Sequence, residues 1–165
     1  MKRLFLTFVL AAGCFIPAQA QEAPGASVAE ALVSSPLTYL NETRPAADAR
    51  FYIYLSSASW CRPCRELMPK VIAEYPAIKA AGGEIILVCF DSTPASGALY
   101  LKKYNASFPG VAANYNNLSQ LTEMLPGYAP SDRIPSATIV AADGTLLYKG
   151  HGKGILEWRS LVPQN

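Results

Sequence analysis

The chain has 165 residues, 51% of them hydrophobic and 16% charged, which suits one domain with a proper core plus a short extension and excludes a disordered chain. The formal net charge of +2 owes itself to Lys2 and Arg3: without residues 1–20, the 14 Lys+Arg fall by two to 12, matching the 12 Asp+Glu. A balanced remainder lacks the basic footprint of a nucleic-acid binder.

Met1-Lys2-Arg3 gives a positive start, Leu4 to Ile16 is almost wholly apolar, and Ala18-Gln19-Ala20 has the small residues of a cleavage site. Residues 1–20 therefore read as a secretory signal peptide, too short for an ordinary membrane span. Leu10-Ala11-Ala12-Gly13-Cys14 offers a second reading, a bacterial lipoprotein signal that would anchor the chain to a membrane through a lipid on Cys14. Both readings send the protein out of the cytoplasm, to the periplasm or another extracytoplasmic space.

Residues 21–50 read as an N-terminal extension and linker, with a short helix over Val28–Val33 capped by Ser27 and a small edge strand at Leu37–Leu40. The domain proper is assigned to residues 51–165. Phe51–Leu55 is apolar and β-prone, and Cys61 and Cys64 follow it at a strand-to-helix turn. Leu67, Met68, Val71, Ile72 and Tyr75 recur at helical spacing, with Pro69 and Pro76 expected to bend or interrupt that helix. Gly82-Gly83 ends it, and residues 84–90 form a continuous apolar, buried strand containing Cys89. A buried cysteine there acts as a small hydrophobe. Thr93-Pro94 opens a helix to about Asn105, Phe108–Val111 is a short extended piece, and Asn117–Leu125 is another short helix. Ser136–Val140 and Thr145–Tyr148 are strands joined by an Asp143-Gly144 hairpin turn, and Ile155–Val162 is a last helix. This order implies an α/β layer structure around a mixed sheet.

Trp60-Cys61-Arg62-Pro63-Cys64 carries the chemistry. A helix N-terminus has partial positive charge and unpaired N–H groups, and both stabilise a thiolate. A thiolate at Cys61 can attack a disulfide, and Cys64, one turn deeper, can displace the product. Zinc uses the same spacing but needs two more ligands, and the chain offers only Cys89, His151 and scattered carboxylates. A purely structural bridge over so short a loop would constrain the unfolded chain little.

The run Ser57-Ala58-Ser59-Trp60-Cys61-Arg62-Pro63-Cys64, with Pro69, Ile134-Pro135 and the Asp143-Gly144 hairpin, resembles the thioredoxin-fold family, closest to its tryparedoxin and nucleoredoxin branch and to exported TlpA-like thioredoxins. The resemblance starts at about residue 28. It implies a central mixed sheet flanked by helices, with an insertion, residues 91–130, between the active-site helix and the cis-proline strand. It makes Cys61 the nucleophile and Cys64 the resolving thiol. Trp60 would shield one side of the mixed disulfide, Pro63 would complete the dipeptide, and Pro135 would face the disulfide while Ile134 offers backbone groups to an extended substrate. Thioredoxins proper carry a buried aspartate six residues before the first cysteine; here Leu55 stands there, leaving Glu66 as the nearest acid in sequence. Arg62 replaces a glycine and either stabilises the Cys61 thiolate or points into solvent. His151 reads as a surface histidine that the fold can bring near the site, and Lys102-Lys103 as a solvated helix face.

The function expected is protein-disulfide exchange, more in the reducing direction. A thiol oxidase or isomerase, or a non-catalytic binding module with a structural Cys61–Cys64 bridge, stands as the alternative. The partners would be protein thiols and disulfides and a membrane or exported redox protein, with no nucleic acid. No cofactor is expected beyond the redox-active dithiol, and the protein is expected to be a monomer.

Overall fold

A computed structural model describes residues 27–163. The cleavage and lipidation signals around Cys14 and Ala18-Gln19-Ala20 lie outside the described residues. Five strands form one mixed sheet in the order β3-β2-β1-β4-β5. β1 (Phe51–Ser57) lies at its centre, parallel to β2 (Gly83–Cys89) and antiparallel to β4 (Ser136–Ala141). β3 (Gly110–Ala112) extends the parallel side, and β5 (Leu146–His151) extends the antiparallel side.

Side chains of β1 alternate between two cores, as a strand covered on both faces requires. Phe51, Ile53 and Leu55 pack with Leu67, Met68 and Val71 of α2 (Arg62–Ala80), with Leu101 of α3 (Pro94–Lys103), and with Trp158 of α5 (Trp158–Leu161). Tyr52 and Tyr54 face the other way, with Val28 and Leu32 of α1 (Val28–Ser34) and Leu121 of α4 (Leu118–Met124). Their aromatic bodies fill the core, and each hydroxyl finds a backbone carbonyl. Tyr52 donates to the Ala46 carbonyl at 2.8 Å and Tyr54 to the Pro126 carbonyl at 3.1 Å, so both surrounding loops are tied to the central strand. The C-terminus is held similarly. Trp158 stacks on Phe51, and both Trp158 Nε1 and Arg159 Nη1 donate to Glu74 Oε2 of α2.

Most elements form where the sequence places them, and the differences have local causes. α2 starts at Arg62, with Cys61 itself as its N-cap. It then runs unbroken through Pro69 and Pro76 to Ala80. Proline at 69 removes the N–H that would have bonded the Arg65 carbonyl, and the Tyr104 hydroxyl donates to that carbonyl at 3.4 Å instead. The edge strand expected at 37–40 shrinks to one bridge, Tyr39 to Val111. The last helix is mostly a 3-10 segment, Gly152–Glu157, before four α-helical residues. The expected insertion region holds α3, β3 and α4, and β3 belongs to the main sheet.

Register collects the chemistry at one edge. β1 and β2 are parallel, with Ser57 opposite Cys89, so their carboxyl ends emerge side by side. β4 runs the other way, with Ser136 opposite Ser56, which brings Pro135 to the same edge. β5 pairs His151 with Ser136 and adds the start of the 3-10 segment. Between these ends, the Asp91 carboxylate accepts from the Ser59 N–H at 3.1 Å, the Ser59 hydroxyl at 2.7 Å and the Cys89 thiol at 3.2 Å. One buried carboxylate thus fixes the turn that leads into Cys61.

At the opposite end of β2, Glu84 is buried and accepts from the Ala46 and Ile85 N–H groups, the Tyr75 hydroxyl and Lys79 Nζ. Removing it takes the acceptor from the buried Ile85 N–H and from the half-buried Tyr75 hydroxyl and Ala46 N–H. Glu84→Ala should lower the unfolding free energy by about 3 kcal/mol, read as a lower urea midpoint at unchanged slope. Cys89 gives a second expectation. Burial, with the adjacent Asp91 carboxylate adding to it, pushes its thiol up to about 12. Native oxidised protein should therefore take up no iodoacetamide near pH 8, and Cys89 should become reactive only when denaturant opens the sheet.

Candidate active site

The sequence at the head of α2 leaves a backbone donor that needs an acceptor. Pro63 occupies the first turn, where its missing N–H costs nothing, and the Cys64 N–H donates to Cys61 Sγ at 3.4 Å. Cys61 is therefore both helix cap and sulfur ligand of the helix terminus. The two cysteines are joined as a disulfide, with Cα atoms 5.2 Å apart. Both cysteines are buried, Cys61 at 7% exposed and Cys64 at 1%, so Cys61 is the less shielded of the two.

The Ile134–Pro135 peptide is cis. It places the Ile134 carbonyl oxygen 3.7 Å from Cys61 Sγ, within reach of a thiol proton once the disulfide is reduced. The Pro135 carbonyl accepts from the Gly152 N–H at 2.9 Å, so the 3-10 segment is docked directly behind the proline. No side chain fits there: a Cβ on Gly152 would sit 2.8 Å from both Pro135 Cβ and Leu67 Cδ2.

Trp60 is 59% exposed, and its Nε1 donates to the Phe90 carbonyl at 3.2 Å. The indole thereby lies over the β2 end of the turn as a fixed flank. Arg62 takes the solvent option. Its Nε donates to Glu66 Oε1 at 2.9 Å, one helical turn on, and its side chain is 83% exposed. That pair occupies the acid nearest in sequence, and among the described residues no carboxylate bonds Cys64. Leu55, in the position of the thioredoxin aspartate, is packed in the core at 1% exposure. His151 lies at this edge, its Nδ1 accepting from the Lys153 N–H. Lys102 and Lys103 are exposed.

Two residues absent from the sequence reading shape the site. Asp91 holds Ser59, as described above. Arg65 Nη1 donates to the Ser59 carbonyl at 2.9 Å, clamping the same peptide from the helix side. The signal in the sequence was an acid placed immediately after a continuous apolar strand, beside the start of the next helix. Among the described residues no cluster of three metal-ligating side chains occurs.

No family profile matches the chain. Over 95 residues it is 25% identical to the thiol-disulfide oxidoreductase ResA of Bacillus thuringiensis subsp. konkukian, covering 58% of this chain and 51% of that protein. Over 91 residues it is 30% identical to ResA of Bacillus cereus strain ZK, covering 55% and 49%. The chain thus spans about half the length of the curated relatives it matches. Among solved structures, the thioredoxin domain of a thiol-disulfide oxidoreductase from Bacteroides vulgatus superposes with a TM-score of 0.55 at 16% identity, covering 68% of this chain and 79% of that one. A thioredoxin-family thiol:disulfide interchange protein from Chlorobium tepidum gives 0.52 at 20% identity, with coverages of 62% and 70%. Tryparedoxin II from C. fasciculata gives 0.51 at 21%, with 67% and 71%. Strand order, the dithiol at the head of α2 and the cis-proline against it give this chain a thioredoxin-like fold, and its sequence is similar to the ResA thiol-disulfide oxidoreductases over about half of their length.

Proposed function

We propose that this chain is an exported protein-disulfide oxidoreductase that works as a reductase, with residues 1–20 directing export and the thioredoxin-like domain carrying the reaction. The observation that carries the reading is the asymmetry of the pair: Cys61 at the mouth of the turn with a backbone N–H on its sulfur, and Cys64 shielded behind it.

In the reduced protein the Cys61 thiolate attacks one sulfur of a substrate disulfide. A Cys61–substrate bond forms, the substrate S–S bond breaks, and the departing thiolate takes a proton from water or from Cys64. Cys64, having lost its own proton, then attacks Cys61 Sγ. The Cys61–Cys64 bond forms and the second substrate thiol leaves, so two electrons have passed from the dithiol to the substrate. Trp60 flanks the mixed disulfide, and the Ile134 carbonyl beside Cys61 offers an acceptor to an extended substrate backbone. No cofactor is required beyond the dithiol. Its partners are protein disulfides on one side and an exported or membrane redox protein that returns electrons on the other.

Direction follows from how well the Cys61 thiolate is stabilised, since a more stable thiolate makes the disulfide a stronger oxidant. Arg62 is turned to solvent and paired with Glu66, so it lends Cys61 little charge, and the nearby Ile134 carbonyl favours the protonated thiol. Both favour a reducing protein.

Cys64→Ser should accumulate a covalent Cys61–substrate adduct on non-reducing gels of the exported fraction, and Cys61→Ser should accumulate none. Equilibration with a glutathione buffer should give a potential near ~-270 mV. A value near ~-120 mV would turn the reading into that of an oxidase, and absence of any adduct would leave a bridge without exchange chemistry.

A further inference from the structure

Behind the dithiol, a cavity of about 370 Å³ opens between the first two turns of α2 and the start of the 3-10 segment. Its apolar lining comes from Pro63, Leu67 and Leu156, and its basic lining from Lys70, Lys153 and His151. Glu66 also borders it, but that carboxylate is already paired with Arg62. Lys70 and Lys153 are exposed and enter no ion pair among the described residues. The His151 ring accepts through Nδ1, so its neutral form carries the remaining proton on Nε2 as a donor. Two ammonium groups without an ion-pair partner among the described residues therefore line a cavity that also has apolar walls. The cavity adjoins the site through two of its walls: Pro63 lies between the two cysteines, and Gly152, between His151 and Lys153, bonds the Pro135 carbonyl.

We propose that this cavity is a subsite for an acidic side chain on the polypeptide substrate, one that seats a Glu-bearing segment next to the cysteine under attack. The apolar walls take the methylene stem, and Lys70, Lys153 and the His151 ring take the carboxylate. Charge at the rim also steers acidic partners toward Cys61 over basic ones. The proposal rests on Cys61 and Cys64 being an exchange pair, and its test separates the two.

Two synthetic peptides, each closed by one disulfide and differing only in Glu or Lys beside the cysteines, are reacted with reduced protein by stopped flow. The neutral reagent 2-hydroxyethyl disulfide serves as the gauge of exchange itself. At low ionic strength the Glu peptide should react roughly tenfold faster than the Lys peptide, and salt should erase the difference. Lys70→Gln/Lys153→Gln should remove the preference and Lys70→Glu/Lys153→Glu should invert it. Independently of exchange, a Glu peptide with serine in place of cysteine, titrated into the oxidised protein, should move the amide NMR signals of Lys70, His151 and Lys153. Equal rates for the two peptides, or shifts confined to other residues, would overturn the subsite. Shifts at those three residues with an inert neutral disulfide would uphold the subsite and sink the exchange reading.

Discussion

The interaction on which the site depends is the bond from the Cys64 N–H to Cys61 Sγ. A helix must end somewhere, and its first N–H groups need an acceptor. In most helices a Ser, Thr, Asp or Asn oxygen fills that role. Here a sulfur fills it, so the requirement that forms α2 also holds the reacting atom in a field of positive partial charge. The demand then passes outward. A cap works only if the turn before it enters at the right angle, and Ser59 is held on one side by Asp91 and on the other by Arg65. Asp91 can be there only because β1 and β2 are parallel and in register at Ser57 and Cys89.

The same register explains how a chain with reactive residues some seventy positions apart assembles one site. Pro135 arrives by antiparallel pairing of β4 with β1, and Gly152 by antiparallel pairing of β5 with β4. Each is one residue beyond a paired strand end, where backbone leaves the ladder and becomes available to a ligand. The glycine at 152 is what lets the last segment close against the proline, since any side chain there would collide with Pro135 and Leu67. Packing and chemistry are set by the same hydrogen-bond ladder.

Much of this was legible in the chain. Continuous apolar, β-prone runs marked the strands, the Thr93-Pro94 and Ser27 caps marked helix starts, and Cys61, Cys64, Ile134 and Pro135 were named from the motif and the resemblance it carries. What escaped depends on distance between elements. Nothing in Phe90-Asp91-Ser92 says that the carboxylate reaches back across thirty residues to Ser59. Arg62 lay open between two directions until its helical neighbour Glu66 was seen to claim it, an i,i+4 contact that periodicity permits but does not compel. The unbroken path of α2 through Pro69 also needed a partner from another element, the Tyr104 hydroxyl on the Arg65 carbonyl. Within the 3-10 segment, Gly152 and Gly154 are both buried where a Cβ would crowd a neighbour, a close approach that the sequence alone does not reveal.

Leu55 gives the site its character. In this position a carboxylate could take the proton that Cys64 must lose before it attacks, and leucine cannot. Nor do the other acids substitute. Glu66 is out on the helix surface with Arg62, and Asp91 already accepts from two groups of Ser59 and from Cys89. With no carboxylate bonded to Cys64 among the described residues, the proposed exchange would pass the Cys64 proton to water or to the departing substrate thiolate, itself a base of suitable strength. In that proposal the substrate supplies the group that Leu55 does not. Resolution would then be coupled to a partner being properly seated, and selection would rest on the surfaces around Cys61 rather than on a buried acid beneath it.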